Sequence, residues 1–131
     1  MRARQVSSGP HSILVVDDER PIVAFIRDLL EDEGYLVTPA FDGREAIEIL
    51  RRDPPELVIS DVLMPGASGH DVVHFVSSRP EKIAPKVILM SANLNRSPRK
   101  HIPLLRKPFD VDELLDLVGE LLDEPIDERS A

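Results

Sequence analysis

The stretch that decides the fold is ELVISDVLMPGASG, residues 56–69, in which a short apolar run ends on a single carboxylate. The letters LVIS are typical of a buried strand, and Asp61 stands directly after them. A turn-prone Pro-Gly pair and then a second glycine, Gly69, follow. One acid where a strand ends is, taken alone, an ordinary exit residue. Whether Asp61 has a function depends on which other side chains the fold places at the same edge.

Length and composition restrict the class of protein. A chain of 131 residues is long enough for one domain with a single core. It contains no cysteine, which excludes a disulfide framework and a thiolate metal site and fits a cytoplasmic protein. No apolar run approaches the roughly 18 residues of a membrane span, and no apolar segment follows the N-terminus as in a secretory signal. The net charge of -8 argues against direct binding to nucleic acid or to an anionic membrane.

Short apolar runs rich in β-branched residues predict five strands, and helical patterns separate most of them. Pro21 suits the first turn of the first helix, and Asp42 with Glu45 resembles a capping box that begins the second. The third helix is predicted over residues 69–78, and Asp110 begins the last one. The predicted strands are residues 12–17, 35–38, 57–61, 86–90 and 104–106.

This alternation predicts the fold class and the limits of the domain. Strands that alternate with helices form a parallel sheet with helices on both faces, because the crossover connections are right-handed. The nearly continuous apolar character of the first, third and fourth strands agrees with burial on both faces. We expect a three-layer α/β domain over residues 12–122, with a flexible leader at 1–11 and a flexible acidic tail at 123–131.

Polar side chains converge where the predicted strands end. The carboxyl ends of parallel strands meet at one edge, which is where such sheets bind ligands. Grouped carboxylates repel one another unless a cation compensates, and all-oxygen ligands suit a hard cation such as Mg²⁺. A lysine ammonium group pairs with a carboxylate or a phosphoryl oxygen, so this edge suits a phosphoryl group beside a metal, with a carboxylate as nucleophile. The residues delivered there are Asp17, Asp18, Asp61, Ser91 and Lys107.

Four short motifs stand in order along the chain: VVDDE at residues 15–19, Asp61 followed by Met64-Pro65 and Gly69, Ser91-Ala92, and KPF at residues 107–109. Each motif is weak alone, but the ordered set resembles the receiver domain of two-component response regulators. The resemblance covers residues 12–122. It implies the flavodoxin-like fold, a five-stranded parallel sheet in a three-layer αβα arrangement.

The resemblance implies a role for each acidic residue. Asp61 would accept a phosphoryl group. Asp18, Asp61 and the backbone carbonyl of Leu63 would bind Mg²⁺, or Mn²⁺, directly. Asp17 would hold the metal largely through water.

The resemblance also implies roles for the residues that follow the fourth and fifth strands. Ser91 would donate a hydrogen bond to a phosphoryl oxygen, and the small side chain of Ala92 would leave that oxygen accessible. Lys107 would pair with Asp61 before transfer and with the phosphoryl group afterwards. The peptide bond between Lys107 and Pro108 would be cis, as is typical of the family.

The implied partners follow from this chemistry. A sensor histidine kinase or a histidine phosphotransfer protein would supply the phosphoryl group from a phosphohistidine, and phosphorylation would change contacts with a downstream protein. A phosphorylation-dependent dimer is a further implied assembly. Because the chain would catalyse only its own phosphoryl transfer and autodephosphorylation, we expect a signalling protein rather than an enzyme.

Two features depart from the family pattern. Leu104 stands three positions before the lysine, where many members carry Tyr or Phe, so an aromatic switch is unavailable. Residues 93–101 have almost no apolar periodicity and contain Pro98. We therefore expect the fourth helix to be short, irregular or absent.

Two other functions remain open on the sequence. A degenerate receiver would act as a binding module without phosphorylation, although retention of the whole acidic, hydroxyl and lysine set argues against it. A phosphohydrolase of the haloacid dehalogenase type also uses Asp, Mg²⁺, Ser or Thr and Lys, but it favours a nucleophile at the end of the first strand, here Asp17. Phosphorylation by a small phosphodonor and turnover of phosphate esters distinguish the three functions.

Overall fold

A computed structural model describes residues 10–64, 66–92 and 101–122. Most of the predicted leader, the predicted tail and nearly all of the segment with the predicted irregular helix lie outside the described residues, so those expectations remain predictions. Strands and helices alternate through the described ranges as the sequence predicts. They are β1 (Ser12–Val16), α1 (Arg20–Asp32), β2 (Leu36–Ala40), α2 (Gly43–Arg52), β3 (Leu57–Asp61), α3 (Gly69–Ser77), β4 (Lys86–Ser91), β5 (Leu104–Arg106) and α4 (Val111–Leu122).

The five strands form one parallel sheet in the order β2-β1-β3-β4-β5. The order reverses between β1 and β3, since β2 lies on one side of β1 and the later strands lie on the other. In open α/β sheets this reversal marks the crevice where ligands bind beyond the carboxyl ends of the strands. The predicted five-stranded parallel α/β fold is confirmed.

Two apolar cores lie on opposite faces of the sheet, because successive strand residues point to opposite sides. Ile13, Val15 and Ile59 contribute to the first core, which packs against α1 and α4. Leu14 and Val58 contribute to the second core, which packs against α2 and α3. The strands are therefore covered on both faces, which explains their nearly continuous apolar sequences.

Helix α2 begins where its sequence provides a cap. Asp42 accepts a hydrogen bond from the backbone N–H of Glu45 at 2.8 Å, as the predicted cap of α2 requires. The side chain of Glu45 accepts from the backbone N–H of Phe41, one residue earlier than in the usual capping box. In the described part of the chain, no helix combines the length and apolar character that crossing a membrane requires.

The limits of strand β2 differ from the prediction. Strand β2 begins at Leu36 and continues through Pro39 to Ala40, later than predicted. Proline is compatible with this position because β2 is an edge strand, where one side of the backbone needs no partner. On α1, Phe25 is 49% exposed and stacks against Phe109 with ring centroids 6.2 Å apart.

Candidate functional site

The carboxyl edge of the sheet brings together the polar side chains predicted to form the site. Asp17 directly follows β1, Asp61 ends β3, and Ser91 ends β4. All three residues are buried, with exposed fractions of 0%, 8% and 8% respectively. Lys107 follows β5 and reaches back across this edge. Buried polar groups in such numbers are costly unless they are paired, so the site has its own internal contacts.

Lys107 is the cation that pairs the two buried carboxylates. Its Nζ lies 2.8 Å from Oδ2 of Asp17 and 3.4 Å from Oδ1 of Asp61. The other oxygen of Asp17 accepts a hydrogen bond from the backbone N–H of Glu19 at 2.9 Å. Asp17 is thus fixed through both oxygens, and it is the nearer carboxylate to Lys107.

The electrostatics of Asp61 and Lys107 follow from this crowding. Burial, and next the negative charge of Asp17, raise the pKa of Asp61 above its usual 3.8, although Lys107 offsets part of the rise. Burial alone would lower the pKa of Lys107, but its hydrogen bond and attraction to Asp17, and then to Asp61, raise that pKa above 10.5. Two carboxylates share one ammonium group, so the site favours additional positive charge.

A third carboxylate completes an acidic cluster that suits a metal ion. Asp17, Asp18 and Asp61 each offer a carboxylate oxygen, and these oxygens lie within 4.8 Å of one another. Asp18 is exposed, so the cluster is open to solvent on its side. Oxygen donors on two buried acids and one exposed acid fit a hard divalent cation that keeps part of its water shell. Among the described residues, this is the acidic group that meets the geometric requirement for a metal.

The loop after β3 is held against the end of its own strand by Gly69. The backbone N–H of Gly69 donates to the carbonyl of Val62 at 2.8 Å, and a Cβ on Gly69 would lie 2.6 Å from the carbonyl oxygen of Asp61. No other residue type fits so close to that backbone. The N–H of Val62 donates to Met90 on β4 at 2.9 Å. Gly69 therefore does more than begin α3, because its missing side chain lets the helix reach Asp61.

Ser91 ends β4, Lys107 directly follows the neighbouring strand β5, and a backbone hydrogen bond joins the two residues. The backbone N–H of Lys107 donates to the carbonyl of Ser91 at 2.9 Å. The peptide bond between Lys107 and Pro108 is cis, as the resemblance implied. Ala92 follows Ser91 and is exposed at the rim of the site.

Two further predicted residues are Leu63 and Leu104. Leu63 is 74% exposed in the loop after β3. Leu104 is partly buried and packs against the core between the sheet and helices α2 and α3. An aliphatic side chain at this position contributes to packing and provides no aromatic ring to move.

Sequence analysis missed one structural feature of the site loop. Ser68 caps α3 by accepting a hydrogen bond from the N–H of Asp71, whose carboxylate accepts from the backbone of Ser68 at 2.8 Å. The signal was present, since Ser-x-x-Asp before an apolar run is a capping-box pattern. This cap fixes the point at which the loop from Asp61 joins α3.

Comparisons with known proteins agree with the fold. The family model described as the response regulator receiver domain matches residues 13–119. An uncharacterized 14.6 kDa protein of Leptolyngbya boryana is 36% identical over 114 residues, covering 82% of this chain and 87% of that protein. Response regulator MprA of Mycolicibacterium vanbaalenii is 35% identical over 121 residues, covering 86% of this chain and 51% of that protein. The chain thus spans only about half of that longer regulator.

Solved structures give the same result. A putative response regulator from Chloroflexus aurantiacus is 28% identical with a TM-score of 0.78, covering 88% of this chain and 99% of that one. The chemotaxis protein CheY4 of Vibrio cholerae is 28% identical with a TM-score of 0.75, covering 87% and 100%. Because the family model matches residues 13–119, which is most of the chain, this chain belongs to the response regulator receiver domains of two-component signalling.

Proposed function

We propose that this receiver domain accepts a phosphoryl group onto Asp61 from a phosphohistidine and changes its protein contacts as a result. The observation that carries the proposal is the position of Asp61, a buried strand-end acid with Lys107 at 3.4 Å and two further carboxylates beside it. Receiver domains partner with sensor histidine kinases and downstream targets. In this proposal the donor is a sensor histidine kinase or a histidine phosphotransfer protein, and the domain extends over residues 12–122 of a cytoplasmic protein.

The nucleophile in this proposal is a carboxylate oxygen of Asp61. That oxygen forms the new P–O bond as the P–N bond to the donor histidine breaks, and the departing imidazole nitrogen takes up a proton. Asp18, Asp61 and the backbone carbonyl of Leu63 would hold Mg²⁺ or Mn²⁺, with Asp17 acting through water. When bound, the metal supplies positive charge that offsets the negative charge of the carboxylates and the incoming phosphoryl group.

Ser91 and Lys107 act on the transferred group. Lys107 turns from Asp61 to a phosphoryl oxygen and remains paired with Asp17, which keeps the ammonium group at the site. Ser91 donates its hydroxyl hydrogen to another phosphoryl oxygen, and Ala92 leaves room beside that oxygen. The inward movement of Ser91 then shifts the domain between two surface arrangements, with Leu104 rather than an aromatic ring in the coupled position.

Phosphorylation by a small donor tests the proposal. Incubation with Mg²⁺ and acetyl phosphate is expected to add one phosphoryl group, detected by intact mass, and Asp61→Asn is expected to abolish the adduct. Asp28→Asn is a matched control, because Asp28 is exposed on α1 and its substitution leaves the adduct intact. Absence of any adduct on the folded protein would favour a binding module. Repeated turnover of phosphate esters would favour the phosphohydrolase.

A further inference from the structure

The first turn of α2 lies directly against the loop that follows β3. A Cβ on Gly43 would lie 1.8 Å from the carbonyl oxygen of Ala67 and 2.5 Å from its carbonyl carbon. Both distances are far shorter than any non-bonded contact, and both involve backbone atoms that cannot rotate away as a side chain would. Among the described glycines, positive φ angles occur at Gly34 and Gly66, so Gly43 is required for space and not for an unusual backbone conformation.

The next residue of α2 lies near the same loop. A Cβ built on Gly66 would lie 3.5 Å from both Cγ and Cδ of Arg44, so the aliphatic stem of this arginine lies beside the loop. Arg44 itself is exposed. Two consecutive residues of α2 therefore face two consecutive residues of the loop, Gly66 and Ala67.

The helix that provides this contact is firmly placed. Its first turn is capped by Asp42, and Ala46 and Leu50 bury its inner face in the core. A displacement at the contact is therefore expected to move the loop more than the helix. At its other end the loop is held beside Asp61, because the backbone N–H of Gly69 donates to the carbonyl of Val62 at 2.8 Å.

We propose that Gly43 and Arg44 are positioning residues for the phosphoryl-transfer site. They lie against Gly66 and Ala67, on the α2 side of the loop that carries Leu63. This inference rests on the proposed function, in which the Leu63 carbonyl and Asp61 bind the metal. The loop is held at its start by Gly69 and on its outer side by α2, so the spacing between helix and loop sets where the Leu63 carbonyl lies. Reacting groups displaced by about 1 Å lose up to roughly 100-fold in rate, so a contact without spare room has a large effect.

Gly43→Ala is the first test, since it adds the smallest side chain. We expect phosphorylation of the folded variant by acetyl phosphate at saturating Mg²⁺ to slow by about 10-fold to 100-fold. Amide NMR shifts of the metal-free variant are expected to change at Val62–Met64 and Gly66–Ser68 more than in the core strands. Ala46→Gly is the matched control, because it perturbs the buried face of the same helix, loosens packing and leaves the loop contact intact. It is expected to lower stability without slowing phosphorylation of the folded protein.

Variants of Arg44 provide a second test, which does not require that Gly43→Ala folds. Arg44→Gln keeps Cγ and places its amide carbon at the Cδ position, whereas Arg44→Ala removes both atoms, and both variants remove the charge. Because the position is exposed on a helix, both variants are expected to fold. We expect phosphorylation to be slower in Arg44→Ala than in Arg44→Gln. Equal rates in this pair, together with a wild-type rate in folded Gly43→Ala, would overturn the inference.

The inference and the proposed function fail in different ways. If the wild-type protein takes up no phosphoryl group, the proposed function fails. The NMR shifts and Mg²⁺ titrations of Gly43→Ala then still decide whether α2 positions the loop, with weaker Mg²⁺ binding and loop-localised shifts as the supporting result. If the wild type is phosphorylated and every α2 variant matches it in rate and Mg²⁺ affinity, only the inference fails.

Discussion

At the scale of single residues, the site places two buried carboxylates beside one ammonium group. This arrangement lowers the stability of the metal-free fold and favours the binding of a cation. Asp17 and Asp61 share the ammonium group of Lys107, and neither acid is accessible to bulk water to any large extent. The raised pKa of Asp61 reports this directly, because burial and the charge of Asp17 both disfavour its ionised form. A bound cation would offset the negative charge that makes ionised Asp61 unfavourable in the metal-free protein.

Asp61→Asn is therefore expected to stabilise the metal-free protein. The amide removes a buried negative charge beside Asp17 and leaves Lys107 fully available to that residue. We expect the free energy of unfolding to rise by on the order of 1 kcal/mol, the usual size of a single-substitution effect. Urea unfolding in the presence of EDTA measures this change. A loss of stability in Asp61→Asn would show that the hydrogen bond to Lys107 outweighs burial.

The same substitution gives a pH dependence whose sign follows from the raised pKa. Since the pKa of Asp61 in the folded state lies above 3.8, protonation favours folding. This contribution is fully present below the unfolded pKa and is lost as pH rises through the folded pKa. The stability advantage of the Asn variant is thus expected to grow as pH rises through that window and then to level off. Unfolding curves of both proteins at a series of pH values, without metal, provide the measurement.

At the scale of elements, the loop after β3 is defined by how α3 begins. Ser68 and Asp71 form a reciprocal cap, and Gly69 lets the helix end approach β3. The orphan N–H groups at the start of α3 are therefore satisfied partly by the loop itself. Cap and site are adjacent, so helix stability and loop position are linked.

Ser68→Ala is expected to lower the free energy of unfolding by about 1 kcal/mol, because it removes the N-cap acceptor of α3. Ser77→Ala, at an exposed position in the last turn of the same helix, is the control and is expected to have little effect. Thermal or urea unfolding of both variants tests the cap. Equal effects of the two substitutions would contradict the assignment.

The sequence predicted the existence and order of the elements better than their limits. The runs that became β1, β3 and β4 are apolar on both faces, which leaves few alternatives to a buried strand. Strand β2 was placed too early because Pro39 and Ala40 have low strand propensity, and only pairing with Val15 and Val16 keeps them in the sheet. Tertiary pairing of this kind is invisible in a local pattern.

Parts of the candidate site were predictable and parts were not. The strand-end positions of Asp17, Asp61 and Lys107 follow from topology, because parallel strands end at one edge. The nearer approach of Lys107 to Asp17 does not follow, since it depends on the side-chain conformation of Lys107, and strands β3 and β4 lie between β1 and β5. The contact of Gly43 with Ala67 was equally hidden, because it joins two segments that are distant in sequence.

At the scale of the whole molecule, metal binding acts against a net charge of -8. We expect Mg²⁺ to stabilise the wild-type protein, by roughly 2.7 kcal/mol when its concentration is 100 times the dissociation constant. Thermal unfolding with and without MgCl₂ measures this stabilisation, and NaCl at equal ionic strength controls for screening. The stabilisation should be strongly reduced in Asp18→Asn, which removes the exposed ligand of the cluster. Equal stabilisation by both salts would indicate screening alone.

The two cores on opposite faces of the sheet have a consequence for how such a domain changes over evolutionary time. One core joins the sheet to α1 and α4, and the other joins it to α2 and α3. The sheet between them is one backbone thick, so side chains in one layer do not pack against side chains in the other. Substitutions that adapt one helical surface to a new partner therefore leave the packing beneath the other surface unchanged. The surface formed by α1 and α4 can acquire a new partner while the surface formed by α2 and α3 keeps its own, or the reverse. Both surfaces share the same acidic edge of the sheet.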